Sequence, residues 1–194
     1  MAEDRAVDDR ANALIASGDL RAAAEAIVRD HGPSILGYLA SILRNDADAS
    51  DVFSQFTEDL WRGLPGFRGE CPVRVWAYRV AWHAAARHLR DPYRQRGRRL
   101  ETTELSRIAE EVRSSVLLGR GEARQQGIDR LRSRLTPEEQ TLLVLRLDRG
   151  LSWREVATVL AGEGDPVDEV ALRKRFERLK SKLTEMARAE GLLE

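Results

Sequence analysis

Arginine and histidine side chains spaced for one helix face lie in the most aromatic part of the sequence. Arg79, His83, Arg87 and Arg90 follow one another at intervals of four, four and three residues, so a helix would bring them together. Eight of the chain's eleven aromatic residues lie between residues 53 and 93. Arginines bind phosphates, and aromatic rings stack with exposed bases. The combination favours a site for single-stranded DNA.

The tryptophans of this stretch have a second interpretation. Large aromatic side chains more often fill a core than bind a ligand. That role is the favoured prediction for Trp61 and Trp76. Trp82 would point in a different direction from Trp76 on a helix and is harder to assign to a core.

A second basic segment lies near the carboxyl end. Residues 171–182 hold six basic side chains against Glu177, and an apolar stripe of helical period runs through the same segment, beginning at Leu172 and Phe176. The sequence predicts a short helix followed by this long basic one, the arrangement of a helix-turn-helix that enters a major groove. An ordinary amphipathic surface helix is the alternative for this segment taken alone.

Charge separates along a chain whose net charge is zero. Residues 1–60 hold 12 acidic and 5 basic residues, whereas residues 61–100 hold 2 acidic and 10 basic residues. With residues 171–182, the chain has two basic islands, which indicates two contacts with one polyanion. Two solvated helix faces would give the same pattern and are the alternative interpretation.

Catalytic chemistry is not expected. Cys71 is the only cysteine, and pairing it with His83 or His88 as a nucleophile lacks an evident Asp or Asn to orient the histidine. No glycine-rich phosphate loop is present, and the three histidines have no metal-ligand spacing. The sequence predicts no enzyme, no metal and no cofactor. Without an apolar run or a signal peptide, the prediction is a cytoplasmic protein that does not enter membranes.

Helical periodicity dominates the 194 residues, and no strand pattern is convincing. The fold class predicted is all-α, with two small helical domains joined by a linker. The first domain should contain helices capped by Asp19 and by Asp46 or Asp48, a break near Gly32 and Pro33, and a long helix from Pro72. The predicted segments are a mobile acidic tail at 1–16, a helical domain at 17–91, a linker with a short helix at 92–121, and a second helical domain at 122–190.

The second domain has the clearest local signals. Thr136 with Glu139, and Ser152 with Glu155, have the spacing of capping boxes. The final helix should run from about Asp168 to Ala189.

Two regions of the sequence resemble the extracytoplasmic-function sigma factors of the sigma-70 family. The sequences DVFSQFTEDLWRGLPGFRG (51–69) and VRVWAYRVA (73–81) resemble region two of those factors. The sequences LTPEEQTLL (135–143) and LSWREVA (151–157), followed by the basic helix, resemble region four. The resemblance implies a sigma factor that binds core RNA polymerase, directs it to promoters and assists promoter melting. It covers residues 20–91 and 122–188.

The resemblance also implies roles for individual residues. A polymerase-binding set on the acidic helix comprises Asp48, Asp51, Gln55, Glu58 and Asp59. A strand-binding set, implied to read and melt the minus-ten element, comprises Phe67, Arg68, Arg74, Arg79, Trp82, His83, Arg87 and Arg90. A duplex-binding set, implied to read the minus-thirty-five element, comprises Ala171, Arg173, Lys174, Arg175, Arg178, Lys180 and Lys182.

Three positions depart from the family pattern. Ser54 and Gln55 stand where a glutamine-glutamate pair is usual, and Trp82 and His83 stand where arginine-asparagine is usual. The turn at 161–170 is longer than usual and acidic, so it would repel phosphate beside the basic helix.

The partners expected are core RNA polymerase and promoter DNA, with an anti-sigma protein as a further candidate. The free chain is expected to be monomeric. The alternative function is a stand-alone helix-turn-helix regulator that binds duplex DNA by itself. Such regulators usually dimerise, and they have little use for the aromatic-rich basic region.

Overall fold

The computed structural model describes residues 2–90, 104–119, 131–162 and 166–193, with side chains from residue 6 and omitting those of 117–119. Within these ranges the chain is helical and contains no strand, as predicted. The chain divides into two compact units, residues 1–118 and 119–194. The helices of the first unit are α1 (Ala2–Ala16), α2 (Leu20–Leu43), α3 (Asp46–Gly63), α4 (Val73–Arg90) and α5 (Glu104–Gly119).

The core of the first unit lies where α2, α3 and α4 pack together. Ile27 and Ile35 of α2, Phe53 and Phe56 of α3, and Val75 of α4 are fully buried. Burying a side chain of this size stabilises a fold by about 1.5 to 3 kcal/mol. The three helices therefore form one framework that holds the residues of α3 and α4 in place.

The prediction of a mobile tail at 1–16 is wrong. Residues 2–16 form α1, which packs on α2 and α4. Ala11 is fully buried, and the carboxylate of Asp8 lies inside the bundle, where it accepts a hydrogen bond from the backbone N–H of Arg74 at 3.0 Å. The small side chain of Ala11 is buried at the contact, and the buried Asp8 carboxylate has a hydrogen-bond partner. This acidic helix is therefore part of the fold.

The predicted break at Gly32 and Pro33 is also absent, because α2 runs through both residues. Pro33 is exposed, while Ile27 and Ile35 on either side of it are buried. Packing of both halves against the same neighbours outweighs the hydrogen bond that proline removes. Gly32 is needed for space, since a Cβ there would lie 3.3 Å from Phe53 Cζ.

The segment predicted as a linker is in part a helix of the first unit. Helix α5 buries Leu105, Ile108 and Val112, which recur at helical spacing along one face. Val112 lies against Gly32 of α2, and the guanidinium of Arg113 donates to Ser54 Oγ on α3. The remainder of the predicted linker, at 92–103 and 120–121, lies outside the described residues.

The second unit contains α6 (Pro137–Leu143), α7 (Trp153–Leu160) and α8 (Glu169–Ala189), after a helical segment at 131–133. Both predicted capping boxes are confirmed: Thr136 pairs reciprocally with Glu139, and Ser152 with Glu155. A π-helical turn, Val144–Asp148, extends α6 until Gly150, whose φ of 63° ends it.

Candidate nucleic-acid interface

The minus-ten candidate site is built around α4 and the loop before it. Trp76, in the first turn of α4, packs over the end of α3, where a Cβ on Gly63 would lie 3.2 Å from the Trp76 ring. The ring of Phe67 packs against the Trp76 ring, with 5.1 Å between the ring centroids. The loop at 67–72 is therefore held to α4 by an aromatic contact, with Arg68 exposed beside it.

The strand-binding set is not uniformly presented to solvent. Arg68 and Arg90 are exposed, whereas Arg74, Arg79 and Trp82 are partly buried. Phe67, His83 and Arg87 are partly buried as well. Arg90 donates through Nε to the carbonyl of Ala86 at 3.2 Å, which turns it back along its own helix.

Arg87 connects the strand-binding set with the polymerase-binding set. Its guanidinium pairs with the carboxylate of Asp59 on α3. Asp59 also accepts a hydrogen bond from Gln55 Nε2 at 2.8 Å. The sequence assigned these residues to two separate surfaces, and the fold joins them in one polar cluster between α3 and α4.

The other members of the polymerase-binding set differ in exposure. Asp51 is exposed on α3. Asp48 lies 3.6 Å from Nε2 of the buried His88. Glu58 is buried, and its carboxylate pairs with Arg62 one turn later. Asp51 is thus the member whose charge is best presented to another molecule.

The N-cap of α3 lies one residue before Asp46, the nearer of the two predicted cap positions. Asn45 is the N-cap, and its Oδ1 accepts from the backbone N–H groups of Ala47 and Asp48 at 2.8 and 3.1 Å. Asp46 and Asp48 are instead in the first turn, where a negative charge interacts favourably with the helix dipole. Asp48 is therefore available to face His88.

The duplex candidate site is the outer face of α8. Leu172, Phe176 and Leu179 are buried, as the apolar stripe predicted, and Leu183 and Met186 are partly buried. Ala171 is partly buried, and its N–H donates to the N-cap carboxylate of Asp168 at 3.2 Å. Between residues 169 and 182 of this helix, the exposed basic side chains are Arg173, Lys174, Arg175, Arg178 and Lys180.

A pair of aromatic rings packs between α7 and α8. The Trp153 ring meets Phe176 edge to face, with 5.4 Å between the ring centroids. Arg146, in the π-helical turn, lies 5.0 Å from the Trp153 ring and donates to the carbonyl of Leu151 at 2.8 Å. The turn before α7 is thereby fixed, and the helix pair has the helix-turn-helix arrangement that the sequence predicts.

Lys182 has a role that the sequence did not suggest. Its Nζ donates to both carboxylate oxygens of Glu139 on α6, at 2.7 and 2.8 Å. Burial raises the pKa of Glu139, but hydrogen bonds from Lys182 and from the Thr136 backbone, with the Lys182 charge, hold it below its ordinary value. Lys182 therefore ties α8 to α6. Lys180 and Arg173 form exposed pairs within α8, with Glu177 and Glu169.

Two features of the first unit were missed from the sequence. Trp61 was assigned to the core, but 43% of its surface is exposed at the end of α3, so that assignment is wrong. Asp8 was placed in the supposed tail and is only 8% exposed. No local pattern identifies either one, because both depend on how α1, α3 and α4 meet.

Every helix in the described ranges is too short or too polar to cross a bilayer. The same ranges contain no cluster of His, Cys, Asp and Glu side chains arranged to hold a metal ion.

Comparisons with known proteins agree with the helical architecture and its motifs. Residues 27–96 match the family model of sigma-70 region 2. The RNA polymerase sigma-H factor of Pseudomonas aeruginosa is 28% identical over 166 residues, which is 74% of this chain and 77% of that protein. The RNA polymerase sigma factor YlaC of Bacillus subtilis is 27% identical over 183 residues, or 87% and 96%.

The fold is similar to that of CnrH, solved in complex with the cytosolic domain of CnrY. The TM-score is 0.59 at 24% identity, over 96% of this chain and 98% of that one. The described helices and these matches define the class of protein as a transcription initiation factor. Residues 27–96 thus form a sigma-70 region 2 domain, and the chain as a whole is similar to RNA polymerase sigma factors.

Proposed function

We propose that this sigma factor divides its work between its two helical units. Residues 17–91 act as region two, which binds core polymerase and opens the minus-ten element. Residues 122–190 act as region four, which reads the minus-thirty-five element. The observation that carries the proposal is the exposed basic face of α8 in a chain whose other unit matches sigma-70 region 2.

Polymerase binding is assigned to the acidic side of α3. Asp51 is exposed, and α3 is held on its other side by the buried rings of Phe53 and Phe56. A rigid helix with an outward carboxylate can select a basic partner surface by charge complementarity. Asp48, Gln55, Glu58 and Asp59 contribute to the same surface while supporting the helix from within the unit.

Strand capture is assigned to α4 and the loop before it. The partly buried Trp82 and the exposed Arg68 and Arg90 combine an aromatic surface with cations, the two requirements for holding unpaired bases. Binding of unstacked bases offsets the stacking free energy lost when the duplex opens. No covalent chemistry is involved, so this function is not enzymatic.

Duplex recognition is assigned to the outer face of α8. Arg173, Lys174, Arg175 and Arg178 are exposed on a helix whose inner face is fixed by Phe176. Residues in the first turns would meet base edges, and those further along would meet phosphates. Each unit needs only modest affinity, because tethering raises the effective concentration of the second contact.

A protein partner beyond polymerase is also proposed. CnrH, whose fold is similar, was solved with the cytosolic domain of CnrY. We infer that an anti-sigma protein binds this chain too, and that the chain is otherwise monomeric and acts in the cytoplasm. Co-purification of the tagged chain from its own cells tests the protein partner, size measurement of the free protein tests the monomeric state, and cell fractionation tests the location.

In vitro transcription tests the proposed function. Purified core polymerase and fragmented genomic DNA are incubated with and without the chain, and the 5′ ends of the transcripts are mapped. New start sites that require the chain are expected. Specific binding of the chain alone to duplex DNA, with no new start sites when core is added, would favour the stand-alone regulator instead.

A further inference from the structure

Helix α4, which carries most of the strand-binding set, has an unusual beginning. Pro72 precedes it, and the Pro72 carbonyl accepts from the backbone N–H groups of Val75 and Trp76 at 3.0 and 3.1 Å. Proline has no side-chain oxygen with which to cap the helix. The N–H of Arg74 lies too early in the helix to find a carbonyl one turn before it, so it needs a partner from elsewhere.

Asp8 supplies that partner from a distant part of the chain. Its Oδ1 accepts from the Arg74 N–H at 3.0 Å, across 66 residues of sequence. The carboxylate is only 8% exposed, and the neighbouring Ala11 is fully buried. A buried carboxylate at a helix N-terminus satisfies an N–H and also interacts favourably with the helix dipole.

A third helix meets the same oxygen. His31 of α2 is buried, and its Nε2 lies 3.4 Å from Asp8 Oδ1. Asp8 thus joins α1, α2 and the start of α4 at one point. By contrast, α3 has its own local cap in Asn45 and does not depend on Asp8 for its first turn.

We propose that Asp8 is a positioning residue for promoter melting, because it fixes the first turn of α4 and the loop at 67–72 from α1. Trp76 lies in that first turn and holds Phe67, so a displaced α4 start would move the loop as well. Helix α1 therefore contributes to strand capture without itself touching DNA. The inference rests on the proposed role of α4 in melting.

The test compares three variants of the full chain. Asp8→Ala removes the cap, Asp8→Asn keeps an oxygen acceptor but removes the charge, and Asp9→Ala makes the same charge change at an exposed position of the same helix. Each variant is assembled with core polymerase on one promoter that the wild-type chain opens. Polymerase affinity is measured by fluorescence anisotropy, and opening by permanganate reactivity of the minus-ten thymines.

Opening by Asp8→Ala should fall about tenfold, and by Asp8→Asn about threefold, as expected for losing all or part of a cap. Asp9→Ala should match the wild type, and all variants should bind polymerase within about twofold, because the cap of α3 is untouched. Equal opening by Asp8→Ala and Asp9→Ala would overturn the inference. If the wild type itself opened no promoter with core, the proposed function would fail, and this inference with it.

Hydrogen exchange separates positioning from general stability. In Asp8→Ala, protection should fall in the peptides covering residues 67–78 and persist in α3. Loss of protection throughout the first unit, including α3, would make Asp8 a determinant of the whole bundle and would overturn the inference.

Discussion

The two basic helices of this sigma factor differ in how their cations are presented. On α8, Arg173, Lys174, Arg175 and Arg178 are exposed, and the helix is capped by its own neighbour Asp168. On α4, Arg87 pairs with Asp59 of α3, and the helix start is held by Asp8 of α1. The α8 surface is thus built locally, whereas the α4 surface depends on two other helices, α1 and α3.

This difference matches what each helix is proposed to bind. A duplex offers regularly spaced phosphates, so a helix with outward cations can meet it with little rearrangement. Separated strands need aromatic surfaces and cations held at defined positions, which a packed framework provides. Variants that act on one of the two helices, and should leave the function of the other unchanged, test this difference.

The largest expected effect is on the inner face of α8. Phe176→Ala removes a buried ring that contacts Trp153, so the second unit should lose about 3 to 5 kcal/mol of unfolding free energy. Urea unfolding followed by tryptophan fluorescence measures the loss. Promoter opening on a template that lacks the minus-thirty-five element should be retained, and its loss would show that α4 depends on the second unit.

Charge reversal on α3 should act on polymerase binding. Asp51→Arg places a like charge against the proposed basic partner surface, so affinity for core should fall about a hundredfold. Anisotropy titration with labelled chain measures the change. Asp9→Arg, an exposed change of the same kind on α1, is the matched control. If both reversals weakened binding equally, α3 would not be the docking surface.

Removal of an α4 aromatic ring should act on opening. Trp82→Ala should make the free energy of promoter opening less favourable by about 2 kcal/mol, the scale of one lost base contact. Closed-complex binding should be nearly unchanged. Permanganate reactivity reports opening, and a mobility shift at low temperature reports the closed complex. A proportional loss in both assays would contradict strand capture by Trp82.

Single cations on α8 should have smaller, recognition-specific effects. Arg173→Ala or Arg175→Ala should weaken promoter recognition by about 1 to 2 kcal/mol, with core binding retained. Arg188→Ala, an exposed change in the last turn of the same helix, is the control. DNase footprinting of the minus-thirty-five region with each holoenzyme gives the comparison. An equal effect of Arg188→Ala would mean that α8 contributes only nonspecific electrostatic attraction to DNA.

The smallest effect concerns the attachment of α8 to α6. The pKa of Glu139 is held below its ordinary value of 4.5, so the pair with Lys182 stabilises the folded state above pH 4.5 and loses this effect as pH falls through the lowered pKa. Both side chains are partly exposed, which limits the effect of Lys182→Ala at pH 7 to less than about 1 kcal/mol.

Urea unfolding at pH 7 and below the lowered pKa tests this pair. The difference between wild type and Lys182→Ala should shrink at the acidic pH. Lys180→Ala, which removes an exposed charge on the same helix, should change stability less. A difference that grew on acidification would contradict the stabilising role of the ion pair.

Local signals predicted much of this structure, and tertiary contacts account for what they missed. The capping boxes at Thr136 and Ser152 depend on residues three apart, so the sequence alone identifies them. The continuity of α2 through Pro33 and the folding of α1 depend on packing partners far away in sequence. The same distinction between local and tertiary signals applies to the candidate site. The spacing of residues along α8 predicts its outward cations. The pairing of Arg87 with Asp59 is visible only once α3 and α4 are packed.

The central claim is tested most directly by footprinting one promoter with DNase and permanganate in parallel. With core polymerase and the chain together, the minus-thirty-five region should be protected and the minus-ten thymines should become reactive. Neither signal should appear with core alone, and the chain alone should give no reactive thymines. Protection of the upstream duplex by the chain alone, with no reactive thymines after core is added, would contradict the account.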